Sequence, residues 1–245
     1  MGIESRGTKM SDLEKAVEEL RKAKFVLVHD SEKRENETDM VIAAEYVKSA
    51  DVARMRMDAG GLVCIALGRE IVNRLGLPFL SDIYPLAGGR YVILEYLEAK
   101  KLQYDKHSAF SVSINHRNTY TGITDADRAL TISELGKFCR KTAEERNKYR
   151  LQKEFGKNFR SEGHVPLLIS SGPDNRQGHT ELTTVLMGHA GLAPAAAICE
   201  MLDHRTGKAL SSENARDYAK KNSLTYLEGK DIIEAYGKEK STTSA

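Results

Sequence analysis

Between residues 30 and 39, five carboxylates (Asp30, Glu32, Glu35, Glu37 and Asp39) crowd into ten positions beside Lys33 and Arg34. Like charges this close repel and raise one another's pKa, so the segment suits either full solvent or a site where a cation and a polyhydroxylated substrate absorb the charge. A second stretch, Asn175-Arg176-Gln177-Gly178-His179-Thr180-Glu181, sets an arginine, a glycine and a hydroxyl at the expected start of a helix. Free N–H groups at a helix N-terminus favour phosphate, and His179 is of a type that binds metal. The same residues would also serve as an ordinary cap and a surface charge.

Three further places carry suitable groups. His164 stands where Ser161-Glu162-Gly163 enters the apolar run 165–169, at a strand start able to face a cleft. Glu200 closes the apolar run 194–199, where partial desolvation suits a carboxylate to proton transfer. The turn 121–128, TGITDADR, adds hydroxyls and Arg128, which can contact phosphate. Each of these, taken alone, also reads as ordinary structure: a strand-entry histidine, a strand-end carboxylate, a polar loop.

Placing such groups together requires a scaffold, and the periodicities supply one. Ser11-Asp12-Leu13-Glu14 is a capping box, and Leu13, Ala16, Val17 and Leu20 recur at helical spacing, which predicts a helix over 11–23. Apolar runs at 25–28, 40–44, 62–67, 165–169 and 194–199 predict buried strands, and the alternation over 108–115 predicts a half-buried one. Helices are expected over 51–59, stopped by Gly60-Gly61, and over 180–190. Another should open at the capping box Thr131-Ile132-Ser133-Glu134 and run to about residue 149. A helix, a strand and a helix fill 212–236. Residues 141–153 read as a charged, solvated extension, and 1–10 and 238–245, with a Ser/Thr-rich end from Ser241, as disordered tails. The alternation of α and β segments points to one shared core.

Composition narrows the function classes. With 40% hydrophobic and 29% charged residues the chain has the balance of a globular protein. It has no long apolar span, and its first residues lack the apolar core of a signal peptide, so the cytoplasm is the expected compartment and no membrane is a partner. Cys64, Cys139 and Cys199 are odd in number and lack CxxC pairing, which argues against disulfides or a cysteine zinc site. The net charge of +2 is spread among interleaved acids and bases, so no nucleic acid is implied.

In order along the chain, RENETD (34–39), GGLVC (60–64), TGITDADR (121–128), GHV (163–165), RQGHTE (176–181) and Cys199-Glu200 resemble 3,4-dihydroxy-2-butanone 4-phosphate synthases, in particular the archaeal single-function form, over about 12–236. The resemblance implies an α/β (α+β) fold, expected here as a single three-layer α-β-α domain with a mixed sheet. It implies a carbon–carbon lyase of riboflavin biosynthesis that converts D-ribulose 5-phosphate to L-3,4-dihydroxy-2-butanone 4-phosphate and formate. It also implies a homodimer with sites near the subunit interface and a requirement for magnesium or manganese, with two divalent cations per site.

Carried over by position, Glu35 and His179 would be metal ligands that also meet the substrate, and Arg34 and Asp39 would contact the sugar. Thr121, Arg176 and Thr180 would hold the phosphate, and Gln177 and Gly178 would contact the substrate. His164 and Glu200 would be catalytic, Glu200 also touching substrate, with Glu37, Asp30 and Cys64 near the chemistry in less defined roles. This chain has Glu162 where the family usually has proline before GHV. Two other functions use similar groups: a sugar-phosphate isomerase that performs only the enolisation, and a nucleotide- or RNA-binding module on a related fold. The acidic loop and the lack of an aromatic basic face speak against the second.

Overall fold

In the computed structural model, which describes residues 10–97, 102, 105, 107–142, 145, 147–243, the chain opens with α1 (Asp12–Arg21). Its capping box forms as expected: Ser11 Oγ accepts the Glu14 N–H at 3.2 Å, and Glu14 Oε2 accepts the Ser11 N–H at 2.7 Å. Strands β1 (Val26–His29) and β2 (Thr38–Ala43) follow, joined by the acidic loop. Helix α2 (Ser49–Arg54) runs into a π-helical turn at Met55–Ala59 that stops at Gly60, whose φ of 86° is left-handed. After β3 (Cys64–Leu67) come α3 (Arg69–Leu75), α4 (Leu80–Gly88) and α5 (Ile93–Tyr96), a helical stretch beyond the elements expected from periodicity.

The second half contains β4 (Phe110–His116), α6 (Asp125–Thr142), α7 (Lys148–Asn158), β5 (Phe159–Ile169), α8 (His179–His189) and β6 (Ala195–Glu200). A small hairpin of β7 (Leu202–Asp203) and β8 (Lys208–Ala209) precedes α9 (Ser212–Lys221), β9 (Tyr226–Glu228) and α10 (Gly229–Thr243). Seven strands form one sheet in the order β4-β5-β3-β6-β2-β1-β9, with β1/β9 and β3/β5 parallel and the remaining pairs antiparallel. The sheet is therefore mixed. Its central strands are buried on both faces, which is why they read as unbroken apolar runs and not as alternations.

Successive residues of a strand still point to opposite sides. Leu27, Met40, Ile42, Ile65 and Leu67 join a core that includes Val52, Ile71, Ile132, Leu135 and Ala215 from α2, α3, α6 and α9. Val26, Val28, Val41, Cys64 and Ala66 join a second core with Ala16 and Leu20 of α1, Leu182 and Leu186 of α8 and Ile232 of α10. The result is the expected three-layer α-β-α arrangement.

Three expectations need correction. Thr131 does not cap a helix: it lies inside α6, where its Oγ1 donates to the Asp127 carbonyl and accepts the His116 N–H, both at 3.0 Å. The helix begins at Asp125, and Thr124 Oγ1 accepts the Asp127 N–H at 3.1 Å, so the TGITDADR turn holds the start signal. Second, the helix ends at Thr142 instead of running to 149; a separate helix, α7, starts after Asn147, whose side chain accepts the Arg150 N–H. The charged segment 141–153, of which 143, 144 and 146 lie outside the described residues, is anchored by Leu151, buried with Phe138 and Phe159 in the larger core. Third, α10 continues to Thr243, so 238–243 are helical: Ser241 and Thr242 hydroxyls bond the carbonyls four residues back, and Lys240 reaches Asp174 at 2.8 Å. Residues 1–9, 244 and 245 of the expected tails lie outside the described residues.

Candidate active site

The acidic loop is organised by its first carboxylate. Asp30, buried at the end of β1, accepts the Glu35 N–H at 3.0 Å on one oxygen and the Glu37 N–H at 3.1 Å on the other. Its own N–H donates to the Glu37 carbonyl at 3.2 Å, and Asn36 takes a left-handed φ of 56° between the two amides. The loop is thus a closed turn around one buried anion, and it points Glu35 at the first residue of α8, His179.

His179 meets three groups from that segment. Nδ1 lies 3.4 Å from Glu35 Oε2, while Nε2 lies 3.2 Å from the Glu37 carbonyl oxygen and 3.7 Å from Asp39 Oδ1. Asp39 sits in β2 directly opposite Glu200 of β6, so the strand register alone brings those two carboxylates to one place. Asp39 is 1% exposed, and its Oδ1 has no hydrogen-bond partner among the described residues.

These charges act on one another. Burial pushes the Asp39 carboxyl up to about 8, with His179 opposing and Glu200, Glu35 and Glu37 adding to the rise. Burial lowers the His179 imidazole, but Asp39, Glu35 and Asp30 outweigh it and carry it up to about 9. Burial also raises Glu37, helped by Glu35 and Glu200. For Glu35 the desolvation is overcome by the hydrogen bond and charge of His179 and by Arg176 and Arg34, so its carboxyl is held below the ordinary value. The cluster has more negative groups than one imidazolium can balance.

A divalent cation fits that deficit. Asp30, Glu35 and His179 each offer a ligand atom, all within 4.8 Å of one another. Two carboxylates and an imidazole suit magnesium or manganese, and Asp39 Oδ1, which has no hydrogen bond and only the 3.7 Å approach of His179 Nε2, is an unfilled acceptor beside them.

Two arginines border the cluster. Asp105 Oδ2 accepts from Arg34 Nη2 at 2.6 Å and from Arg176 Nε at 2.7 Å. Arg176 Nη1 also donates to the fully buried Glu181 at 2.7 Å, and its Nη2 is 4.0 Å from Glu35. Gly178 leaves room for this guanidinium, since a Cβ there would lie 2.6 Å from Arg176 Nη1 and the side chain would have to shift. Thr180 is buried one residue into α8 and lines, with Arg176, His179, Glu35, Asp39 and Glu200, a cavity of about 100 Å³. Sequence reasoning missed Asp105 and Glu181. Glu181 had a signal, lying five residues after Arg176 in the first helical turn; Asp105, in an unpatterned stretch, had none.

Glu200 Oε2 accepts the Leu62 N–H at 2.8 Å. A Cβ on Gly61 would come within 2.5 Å of that carboxylate oxygen, which gives the second glycine of GGLVC its reason. Cys64 is buried behind this place, and desolvation with the Glu200 and Asp39 charges pushes its thiol well above the ordinary value. A buried thiol raised in this way is poorly suited to act as a nucleophile.

His164 and Thr121 do not join this cluster through any hydrogen bond described. His164 Nδ1 faces Asn115 at 3.1 Å, and Thr121 Oγ1 donates to Asp127 at 3.4 Å, at the β4–β5 edge of the sheet. Asn115, like Asp105, was not singled out by its sequence context.

Residues 14–235 match the sequence profile of 3,4-dihydroxy-2-butanone 4-phosphate synthase. The synthase of Methanothermobacter thermautotrophicus is 45% identical over 226 residues, covering 91% of this chain and 95% of its own. That of Archaeoglobus fulgidus is 43% identical over 230 residues, covering 93% and 94%. Among solved structures, a 3,4-dihydroxy-2-butanone 4-phosphate synthase in complex with two magnesium ions superposes with a TM-score of 0.71 at 26% identity, covering 94% of this chain and 98% of that one. Matches of this extent, joined to the geometry above, mean that the chain belongs to the 3,4-dihydroxy-2-butanone 4-phosphate synthase family.

Proposed function

We propose that this chain converts D-ribulose 5-phosphate to L-3,4-dihydroxy-2-butanone 4-phosphate and formate, as a magnesium- or manganese-dependent carbon–carbon lyase of riboflavin synthesis. We further propose that it works in the cytoplasm as a homodimer holding two divalent cations per site. The observation that carries the reading is His179 enclosed by Glu35 and Asp39, with Asp30 in ligand range and two arginines alongside. No helix among the described residues is long and apolar enough to cross a membrane.

In this reading Glu35 and His179 hold the metal, which when bound polarises the substrate carbonyl. Arg176, Gln177, Gly178 and Thr180 hold the phosphate at the N-terminus of α8, where the first N–H groups of an eleven-residue helix lack intrahelical partners. Arg34 and Asp39 orient the sugar hydroxyls. The reaction needs a proton taken from C3 and several later transfers, so carboxylates of unequal basicity at one place are useful. Asp39, raised to about 8, can exchange a proton near neutral pH, Glu37 is raised above the ordinary carboxylate value by burial and by Glu35 and Glu200, and Glu200 lies across the register from Asp39. Asp30 serves the chemistry indirectly, by fixing the Glu35 and Glu37 amides.

Thr121 and His164 would act from a second copy of the chain. Their hydrogen bonds run to Asp127 and Asn115 and not to the acidic cluster, so sites shared at a subunit interface would complete the set. The test is formate release from ribulose 5-phosphate by purified protein, with magnesium and with EDTA, using carbon NMR to identify the four-carbon product. Magnesium-dependent formate with that product is expected. Conversion without formate would make the chain an isomerase, and binding without turnover would remove the enzymatic reading.

A further inference from the structure

The β4–β5 edge contains an arrangement that fixes the state of one imidazole. In the ladder Ile114 pairs with Val165 and Asn115 with Arg160, so residues 161–164 bulge out between the two registers. Asn115 fills the space beneath that bulge and is 1% exposed, whereas His164 is exposed. The Asn115 carboxamide is oriented from both ends. Its Oδ1 accepts the backbone N–H of His164 at 2.9 Å, and its Nδ2 lies 3.5 Å from the Thr121 carbonyl oxygen. A flipped amide would set NH2 against an N–H and oxygen against oxygen. Gly122 and Gly163 keep the packing this tight: a Cβ on Gly122 would overlap the Asn115 side chain, and one on Gly163 would overlap the Ile114 backbone.

With the amide so held, its remaining N–H is directed at His164 Nδ1, 3.1 Å away. A nitrogen that accepts a hydrogen bond carries no proton, so in the neutral ring the proton sits on Nε2. Among the described residues nothing bonds Nε2, and the ring is exposed on that side.

We propose that Asn115 is a positioning residue that holds His164 as the neutral Nε2–H tautomer, so that His164 meets the substrate as a hydrogen-bond donor to a developing oxyanion and not as a general base. This rests on the reading above that His164 belongs to the active centre. A base acting through Nε2 would need that nitrogen unprotonated and Nδ1 protonated against an amide N–H, which this carboxamide opposes. A neutral imidazole that polarises a carbonyl is known chemistry for enolising enzymes. The motif residues Gly122 and Gly163 then act through Asn115, which joins the TGI and GHV segments into one device.

The experiment is long-range proton–nitrogen NMR of the histidine rings in the full-length protein, between about pH 6 and pH 8. His164 is assigned by its disappearance in His164→Gln. The expected result is a protonated Nε2 and a bare Nδ1; a protonated Nδ1 in the neutral ring overturns the proposal whatever the kinetics. Asn115→Asp puts an acceptor opposite Nδ1 and should move the proton there, lowering kcat by about 100-fold while KM changes little. An unchanged kcat alongside a moved proton overturns the donor role. His164→Gln, which keeps an N–H donor but no base, should retain more turnover than His164→Ala; equal loss counts against donation. Full turnover by His164→Ala would instead remove His164 from the active centre, and the NMR result would still decide the tautomer.

Discussion

Two regions of this molecule hold histidines for different physical reasons. At the N-terminus of α8, His179 is buried among carboxylates, and its state is set by charge: Asp39, Glu35 and Asp30 carry it up to about 9. At the β4–β5 edge, His164 is exposed and its state is set by one carboxamide hydrogen bond. The first arrangement can exchange its proton for a metal cation, because the surrounding negative charge needs one or the other. The second has no nearby charge in its bonding pattern and can only orient. The difference suits the first region to the proposed cation binding and the second to directional hydrogen bonding.

The sharpest way to break that division is to inactivate each region and then mix the products. Glu35→Ala and His164→Ala should each lower turnover by about 1000-fold or more, the upper part of what single acid–base or electrostatic groups contribute. Magnesium binding measured by calorimetry should vanish in the first and persist in the second. If the two regions meet across a dimer, mixing the unfolded variants and refolding them together should restore about a quarter of native activity, since half the dimers would carry one intact site. No recovery would mean that both regions serve a site within one chain, or that no dimer forms.

A smaller effect is expected at the arginine that borders the acidic cluster. Glu181 is fully buried and accepts from both the Ser171 N–H at 3.0 Å and Arg176 Nη1 at 2.7 Å. Glu181→Gln leaves a buried guanidinium short of one partner, a change of the kind that costs about 3 kcal/mol. Urea unfolding should show that loss, and KM for the sugar phosphate should rise about tenfold as Arg176 loses its fixed orientation. Unchanged KM would mean that Arg176 is structural only.

The same contrast explains what could be read in advance. The cation cluster was legible because its residues lie in two short segments, 30–39 and 175–181, whose composition is unusual for loops. The strands that join them were legible because burial on both faces makes an unbroken apolar run. What failed was information held by partners distant in sequence. Thr131 looks like a cap until His116, fifteen residues earlier, donates to its hydroxyl inside α6. Asp105 bridges Arg34 and Arg176, each 71 residues away, and nothing local marks it. Asn115 occupies an alternating strand position, and its role appears only when the bulge at 161–164 lays His164 over it.

The segment 141–153 gives an internal control. Leu151 is the one residue of α7 fully buried, and it joins the core beside Phe138 and Phe159. Leu151→Ala should lower unfolding stability by about 2 to 4 kcal/mol through lost burial and a residual cavity. At a temperature where the protein stays folded, kcat and KM should be unchanged, because α7 packs on α3 and β5, away from α8 and the acidic loop. A change in KM would show that the charged extension is coupled to the site.

The smallest effect is the most specific to the charge-governed region. His179 is raised from 6.5 to about 9 in the fold, so its contribution to stability is complete below about pH 6.5 and is lost as pH rises through about 9. Asp39, raised from 3.8 to about 8, retains its proton in the fold after the unfolded chain has lost it, so its contribution also falls between those values. Both signs agree: with EDTA present, Tm should decline by a few degrees from about pH 6 to about pH 9. Saturating magnesium should flatten or reverse the trend, because a cation replaces the proton on His179 and favours the ionised carboxylates. Asn115→Ala, which empties a buried and hydrogen-bonded position, should lower both curves by a similar amount and leave their slopes unchanged, since the hydrogen bond at the other histidine is no part of this charge balance. If magnesium left the slope unaltered, the cluster around His179 would not be where the cation binds.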